Sequence, residues 1–395
     1  MGTFTRLLAA TTILACGMAP PFAAADEVTD WNAQAARIVA QGVMGTPHAN
    51  RLMAIVQTCV YRALSDLEPG GSAAAAVAAA NRTALLSLVP SQKDAIEHAY
   101  EQALAPVQDG AAKLAGIAAG EKAVVQVFAE RTSDGVPMRE SYRPHTSAGV
   151  YVPTMLPVVP QWSERKPWLL DSASQLRPGP PPALTSETWA RDYNEVKSLG
   201  GKDSPLRSEE QTAIARFWEG TLPSVYYGVV YSVAKQPGRD LKRNARLFAA
   251  VTQAMDDAII AVFEAKYHYG FWRPITAIRN GDNDGNNATE RDPSWLPFIS
   301  TPMHPEYPCA HCIVAATVGT VLKAEIGDGP MPVLSTVSDT QGNPTRSWTS
   351  IEDFIREVSL ARIYDGVHYR NSTEVGTAMG RKVGELAVKR HFAPP

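Results

Sequence analysis

Charge is sparse in this sequence, and it is balanced: 19% of the 395 residues are charged, with 37 Lys and Arg against 40 Asp and Glu, a net of -3. That balance excludes a general attraction for DNA, RNA or anionic lipid, so any anion site has to be local. Cysteine is scarce too, at four residues, which excludes a small disulfide scaffold. Alternating runs of β-branched residues are nearly absent, which favours an all-α architecture over α/β. Beyond the N-terminus no stretch reaches the roughly 18 uninterrupted apolar residues of a membrane span. The closest approach, SAAAAVAAANRTALLSLV, is broken by Asn81 and Arg82. What is present is a 45% apolar composition and a length of two to three units of about 150 residues, enough for a large helical protein with its own core.

Residues 1–25 read as a targeting segment. Arg6 precedes the apolar run LLAATTILACGM, and PFAAA supplies small residues for a cut after Ala25. The protein is therefore expected to be exported, to the periplasm or the medium. Lipidation at Cys16 fits less well, because Leu14 stands where a small or β-branched residue is needed. Removal of the segment takes away one base and no acid, and it leaves Cys59, Cys309 and Cys312, an odd set that cannot all pair within one chain. Cys59 lies in the helical stripe Leu52, Ile55, Val56, Cys59, Ala63 and Leu67, where it reads as a buried small hydrophobe.

Four regions follow along the chain. Residues 26–134 are Ala-rich with periods of three and four, punctuated by Pro69-Gly70, Pro90 and Gly110, and predict four or five packed helices. Residues 135–184 hold about a third of the 30 prolines and predict an ordered loop over the surface. Residues 185–395 form a C-terminal helical region with helices expected at 185–202, 208–218, 223–235, 240–267, 309–327, 350–364 and 372–391; its core lies at about 240–392.

Half of the eight histidines fall between residues 268 and 368, in three short segments rich in cations and aromatic residues. In KYHYGFWRP, seven helical positions advance by about 700°, so Lys266 and Arg273 share a face, and Pro274 ends the helix beside Arg273. In HPEYPCAHC, a helix starting near Cys309 would aim the free amides of Cys309, Ala310 and His311 at whatever precedes them, an oxyanion cradle. Two other readings stay open there: a zinc site from His304, Cys309, His311 and Cys312, and a Cys309/Cys312 redox pair; otherwise Cys312 is a packed helix residue. In ARIYDGVHYRNS, Arg362 and His368 are six residues apart, with Gly366 permitting a bend between them.

Together the three segments resemble the type-2 phosphatidic acid phosphatase and vanadium-dependent haloperoxidase superfamily. Its signature is Lys, six residues, Arg-Pro; then Pro-Ser-Gly-His; then Ser-Arg, five residues, His, three residues, Asp. Lys266, Arg273 and Pro274 complete the first part, Pro308-Cys309-Ala310-His311 stands for the second, and Ala361-Arg362 with His368 for the third. The wording KYHYGFWRPITAIRNGDNDGN, HPEYP and HANRLMAIVQTCVYRAL is similar to the soluble bacterial haloperoxidase-like branch. The resemblance implies a helical bundle in which Lys266, Arg273 and Arg362, with Cys309 and amides near Ala310, bind phosphate or vanadate. It makes His368 the phosphoryl-accepting nucleophile or axial vanadium ligand, His311 the general acid/base, and His304 a halide-site residue. The implied function is vanadate-dependent oxidation of halide by hydrogen peroxide. The alternatives are a periplasmic acid phosphatase that needs no cofactor and acts on a small anionic substrate, and an oxyanion-binding protein with weakened catalysis. No nucleic-acid partner is implied, and a homo-oligomer is compatible with the sequence.

Two departures bear on the chemistry. Cys309 replaces the motif serine, making one oxyanion donor a weak, oxidisable thiol. Ser372 stands where the motif Asp orients the histidine, leaving that role to Asp365 or another residue. The turn Asn280, Asp282, Asp284 and Gly285 imitates a calcium loop, but Arg291 occupies the position of its bidentate Glu, so a polar turn is expected. Asp256 and Asp257 are adjacent and expected on a helix surface or supporting the site.

Overall fold

A computed structural model describes residues 26–42, 45–132, 134, 142–340 and 342–392; the expected targeting segment lies outside them. Thirteen α-helices run in order among the described residues: α1 Glu27–Gln41, α2 Thr46–Ser65, α3 Ala73–Leu88, α4 Lys93–Leu104, α5 Ala111–Glu130, α6 Glu187–Leu199, α7 Glu209–Phe217, α8 Ser224–Ala234, α9 Leu241–Tyr269, α10 Pro274–Arg279, α11 Ala310–Ile326, α12 Ile351–Tyr364 and α13 Arg370–His391. The architecture is all-α, and the helix starts follow local chemistry. Asp26, Ser72, Ser186, Ser208, Asp240 and Ser350 each cap the first turn with a side-chain oxygen. α10, which the sequence pattern did not predict, is one short turn opened by Pro274. A hairpin was also not foreseen: β1 Leu334–Val337 pairs antiparallel with β2 Thr345–Trp348, Leu334 opposite Trp348.

α9 is the axis of the molecule. Every residue from Leu247 to Phe263 is buried, so it is covered on all sides, by α2, α11 and α13 among others. One apolar core runs from Val28 in α1 to Ala387 in α13. α13 lies against α11 through Gly376, Gly380 and Gly384, which fall on one helix face. A Cβ at Gly376 would sit 2.6 Å from the Cys309 carbonyl oxygen, and one at Gly380 would be closer still to that of Ile313. The two backbones thus touch where no side chain fits.

The described part of the Pro-rich segment, 142–184, is an ordered surface loop with one 3-10 turn at Trp162–Glu164, as its composition predicts. Tyr151 donates its amide to the Gly270 carbonyl, and Trp272 donates to that of Gly149. Further along, Asp257 accepts the amides of Trp168, Leu169 and Leu170 at 2.7–2.9 Å, while Asp256 accepts from the Trp168 indole at 2.8 Å and from Arg51. Both acids are buried in the core, not on a helix surface.

Candidate active site

The three cation-bearing segments converge at one end of α9. Lys266 occupies the last turn of that helix, which Gly270 stops in the left-handed conformation at φ 57°. The Lys266 ammonium donates to the carbonyls of Pro305 and Glu306 at 3.1 and 2.7 Å. Arg273 follows in extended geometry, as a residue before proline must. Its guanidinium donates to the carbonyls of His304 and Val367 at 2.9 and 2.8 Å and faces His368 Nε2 at 3.2 Å and His304 Nδ1 at 3.0 Å. Arg362 reaches in from the last turn of α12, donating to the Trp218 carbonyl at 3.0 Å and to Asp365 at 2.6 Å. All three cations are buried.

The tautomer of His368 follows from its partners. A guanidinium only donates, so Nε2 accepts from Arg273, and Nδ1 carries the hydrogen. That hydrogen points at Glu306 Oε1, 2.7 Å away, and the same oxygen accepts the Tyr369 amide at 3.1 Å. Glu306 therefore takes the orienting position that the motif gives to an Asp, while Ser372 lies at 3.4 Å from Nδ1. Asp365 does not take that role, because its carboxylate is held by Arg362. Sequence reasoning missed Glu306 because it sits 62 residues from its histidine; its one signal was an acid set between the prolines of HPEYP.

Cys309 begins α11 as its N-cap, and the free amides of that turn, Ala310 and His311 included, sit at the site's edge. The expected thiol donor is corrected by the structure: Cys309 and Cys312 are joined in a disulfide, leaving Cys59 as the free cysteine among the described residues. The pairing also removes the zinc reading, and no group of three or more His, Cys, Asp or Glu suited to a metal occurs among the described residues. His311 contacts the Gly220 carbonyl through Nε2 at 3.3 Å, and since a carbonyl only accepts, Nε2 bears the hydrogen and Nδ1 is free. The calcium-like turn is structural: Asp284 accepts from the Trp189 indole and the Thr289 hydroxyl, both at 2.7 Å.

The electrostatics are lopsided. Burial pushes the Lys266 ammonium far below its ordinary pKa, with Arg273 adding to the effect, and holds Arg273 itself down to about 10. Burial and Arg273 keep His304 and His368 neutral at ordinary pH; burial and Arg362 do the same for His311. The two acids, Glu306 and Asp365, are each raised to about 7 by burial, against the pull of the neighbouring cations. Every charge here is held away from water at a cost, and positive charge predominates. The buried Arg362 Nε hydrogen has no partner, so a donor remains for an anion. A cavity of about 600 Å3 opens onto this cluster, with Ala310, His304, His311, Arg362 and His368 in its lining.

Comparison with known proteins agrees with the geometry. Residues 246–393 match the model of the VCPO second helical-bundle domain. The vanadium chloroperoxidase of Curvularia inaequalis is 31% identical over 172 residues, 35% of this chain, and the match spans only 28% of that protein's length. Among solved structures, a bacterial vanadium-dependent iodoperoxidase superposes with a TM-score of 0.77 at 24% identity, covering 92% of this chain and 95% of that one. The apo form of a bacterial vanadium-dependent chloroperoxidase follows at 0.71 and 16% identity, covering 89% and 96%. These two establish the fold over nearly the whole described chain.

Proposed function

We propose that the protein, whose residues 246–393 match the VCPO second helical-bundle domain, is a vanadate-dependent haloperoxidase, oxidising halide with hydrogen peroxide. The observation that carries this reading is the excess of buried cations at one end of α9, with an unpartnered Arg362 donor and the Nε2 of an oriented His368 in the same cluster.

The residues fit vanadate. Lys266, Arg273 and Arg362 would hold its oxygens, amides of the first turn of α11 would add to them, and His368 Nε2 would supply a ligand nitrogen. Bound there, vanadate supplies a Lewis acid that activates hydrogen peroxide towards halide. The protein's own part is orientation and proton handling. Glu306 keeps the hydrogen of His368 on Nδ1, leaving Nε2 as the electron pair that faces the anion. His311, neutral and with its hydrogen on Nε2, would be the group that takes up and gives back a proton at Nδ1. His304, which shares Arg273 with His368 and lines the cavity, would be the halide-site residue.

The disulfide supports this reading over the phosphatase alternative, since a free thiol beside an oxidising site would be consumed. A phosphatase reading retains one favouring observation: the Glu306-oriented His368 is equally a nucleophile for a phosphoryl group. We also place the protein outside the cytoplasm, supported by the N-terminal segment and by the disulfide. A paired assay decides the function: halide oxidation with vanadate and peroxide, against hydrolysis of a generic phosphomonoester. Hydrolysis without halide oxidation overturns the peroxidase reading, and silence in both leaves an oxyanion-binding protein.

A further inference from the structure

At the other end of α9 from the candidate active site, a second cavity of about 280 Å3 opens between the ends of α8 and α11 and the start of α9. Three arginines gather beside it around one acid. Glu325, in the last turn of α11, is buried; its Oε1 accepts from Arg239 at 2.7 Å and from Arg243 at 2.6 Å, and its Oε2 accepts from Arg246 at 3.4 Å. One guanidinium balances one carboxylate, so three leave two positive charges over. Asp240 and Asp328 are exposed and do not line the cavity, and Asp240 spends its carboxylate on the Arg243 amide at 2.7 Å.

Arg239 is fixed in place but not satisfied. Its side chain is 5% exposed, and Nε donates to Asn244 Oδ1 at 2.6 Å while Nη1 donates to Glu325. Asn244 is anchored in turn, donating to the Ala234 carbonyl at 2.9 Å and to Asp26. Nη2 remains, buried and without a partner among the described residues, in a residue that lines the cavity. A buried charged donor left unmatched is costly, and an anion in the cavity would satisfy it. Arg243 also lines the cavity; it is 44% exposed and commits Nε and Nη2 to Glu325, leaving Nη1. The rest of the wall is largely apolar, from Val233 and Ile326 with Pro237, Pro330 and Pro332. An inorganic anion gains nothing from such a wall, whereas a hydrocarbon tail is driven onto it.

We propose that this cavity binds a small organic monocarboxylate with a short apolar or aromatic tail. The head is held by the Arg239 and Arg243 guanidiniums, whose planar forks match a carboxylate, and the tail lies against the prolines. Glu325 opposes such a ligand little, since arginines already cover both of its oxygens. The site is separate from the candidate active site: α11 begins there and runs 17 residues, about 25 Å, to Glu325. The proposal therefore stands apart from the haloperoxidase reading, and a protein that oxidises no halide would still bind the carboxylate.

Calorimetry on the whole protein with benzoate tests it. Benzoate should bind with a dissociation constant below about 1 mM, and benzyl alcohol, without the charge, and inorganic phosphate, without the tail, should each bind at least about tenfold more weakly. Arg239→Gln and Arg243→Gln should each weaken benzoate at least about tenfold; should the buried Arg239→Gln fail to fold, the exposed Arg243→Gln decides. Met303→Trp, which fills the cavity of the candidate active site, should leave benzoate binding unchanged. No benzoate binding up to about 1 mM overturns the proposal. So does binding that Met303→Trp abolishes or that Arg243→Gln leaves intact, and so does equal affinity for phosphate or benzyl alcohol.

Discussion

Helix α9 carries two buried ionic clusters, one at its middle and one at its C-terminal end. In the first, Asp256 and Asp257 meet Arg51, Arg131, Arg165 and Asp134, three acids for three bases, closed over by the Pro-rich segment. Arg131 and Arg51 donate to the Lys166 carbonyl at 2.9 and 3.1 Å, and the Arg131 guanidinium lies 3.4 Å from the centre of the Trp168 ring. In the second, Lys266, Arg273 and Arg362 face two acids, each pushed up to about 7 as Asp257 is in the first, and the cluster opens on a cavity. The first matches acids to bases in number and fastens a loop. The second carries surplus positive charge and, on the proposed function, would be completed by an anion. Burial of charge is thus no mark of function; its imbalance, next to space, is the mark.

The comparison can be broken by exchanging consequences between the clusters. His368→Ala, in the second, should lower halide oxidation by at least about a thousandfold, with little change in melting temperature. A loss of folding instead would make the second cluster structural as well. In the first, Asp256→Ala leaves Arg51 without its deeper partner and should destabilise the protein by about 3–5 kcal/mol in urea unfolding, while activity per folded molecule is retained.

A finer test uses pH. Glu306, raised by burial to about 7 from an ordinary value near 4.5, holds a proton in the folded protein that the unfolded chain has lost between those limits. Its contribution to stability therefore falls as pH rises from about 4.5 to 7 and is flat above. Ionisation through 7 also adds a negative charge beside Lys266 and Arg273, so vanadate affinity should fall there. Glu306→Gln should flatten that fall and cost about 10–100-fold in activity, and Glu306→Asp should recover part of both. A Gln variant with the wild-type pH profile would remove Glu306 from the role. The smallest effect concerns sulfur. Protein lacking residues 1–25, unfolded without reductant, should titrate one thiol, Cys59, and three after reduction. Cys309→Ser with Cys312→Ser should change activity only a few-fold, since neither sulfur is a free donor to the anion.

The helices were legible because their ends are chemically marked: Ser208 with Gln211 makes a capping box, and Gly270 stops α9. The hairpin was not, because strands of four residues carry too little alternation to stand out. Lys266, Arg273, Arg362 and His368 were legible through fixed spacing within their segments. Glu306 was not, because what gives it a role is tertiary: it meets His368 across 62 residues of chain. The disulfide was foreshadowed by the spacing Cys309 to Cys312, but that spacing is shared by metal sites, redox pairs and ordinary helix turns.

The glycine face of α13 has a consequence for how the protein could change. Gly376, Gly380 and Gly384 leave that helix no side chains with which to absorb a shift against α11, and both helices begin at the candidate site. A methyl group at Gly380, far from any reacting atom, would pry apart the starts of two helices that carry His311 and follow His368. Chemistry at the cavity is therefore open to revision residue by residue, whereas the seam behind it is a single setting. Variants selected for a different halide or acceptor should be found to leave those three positions alone.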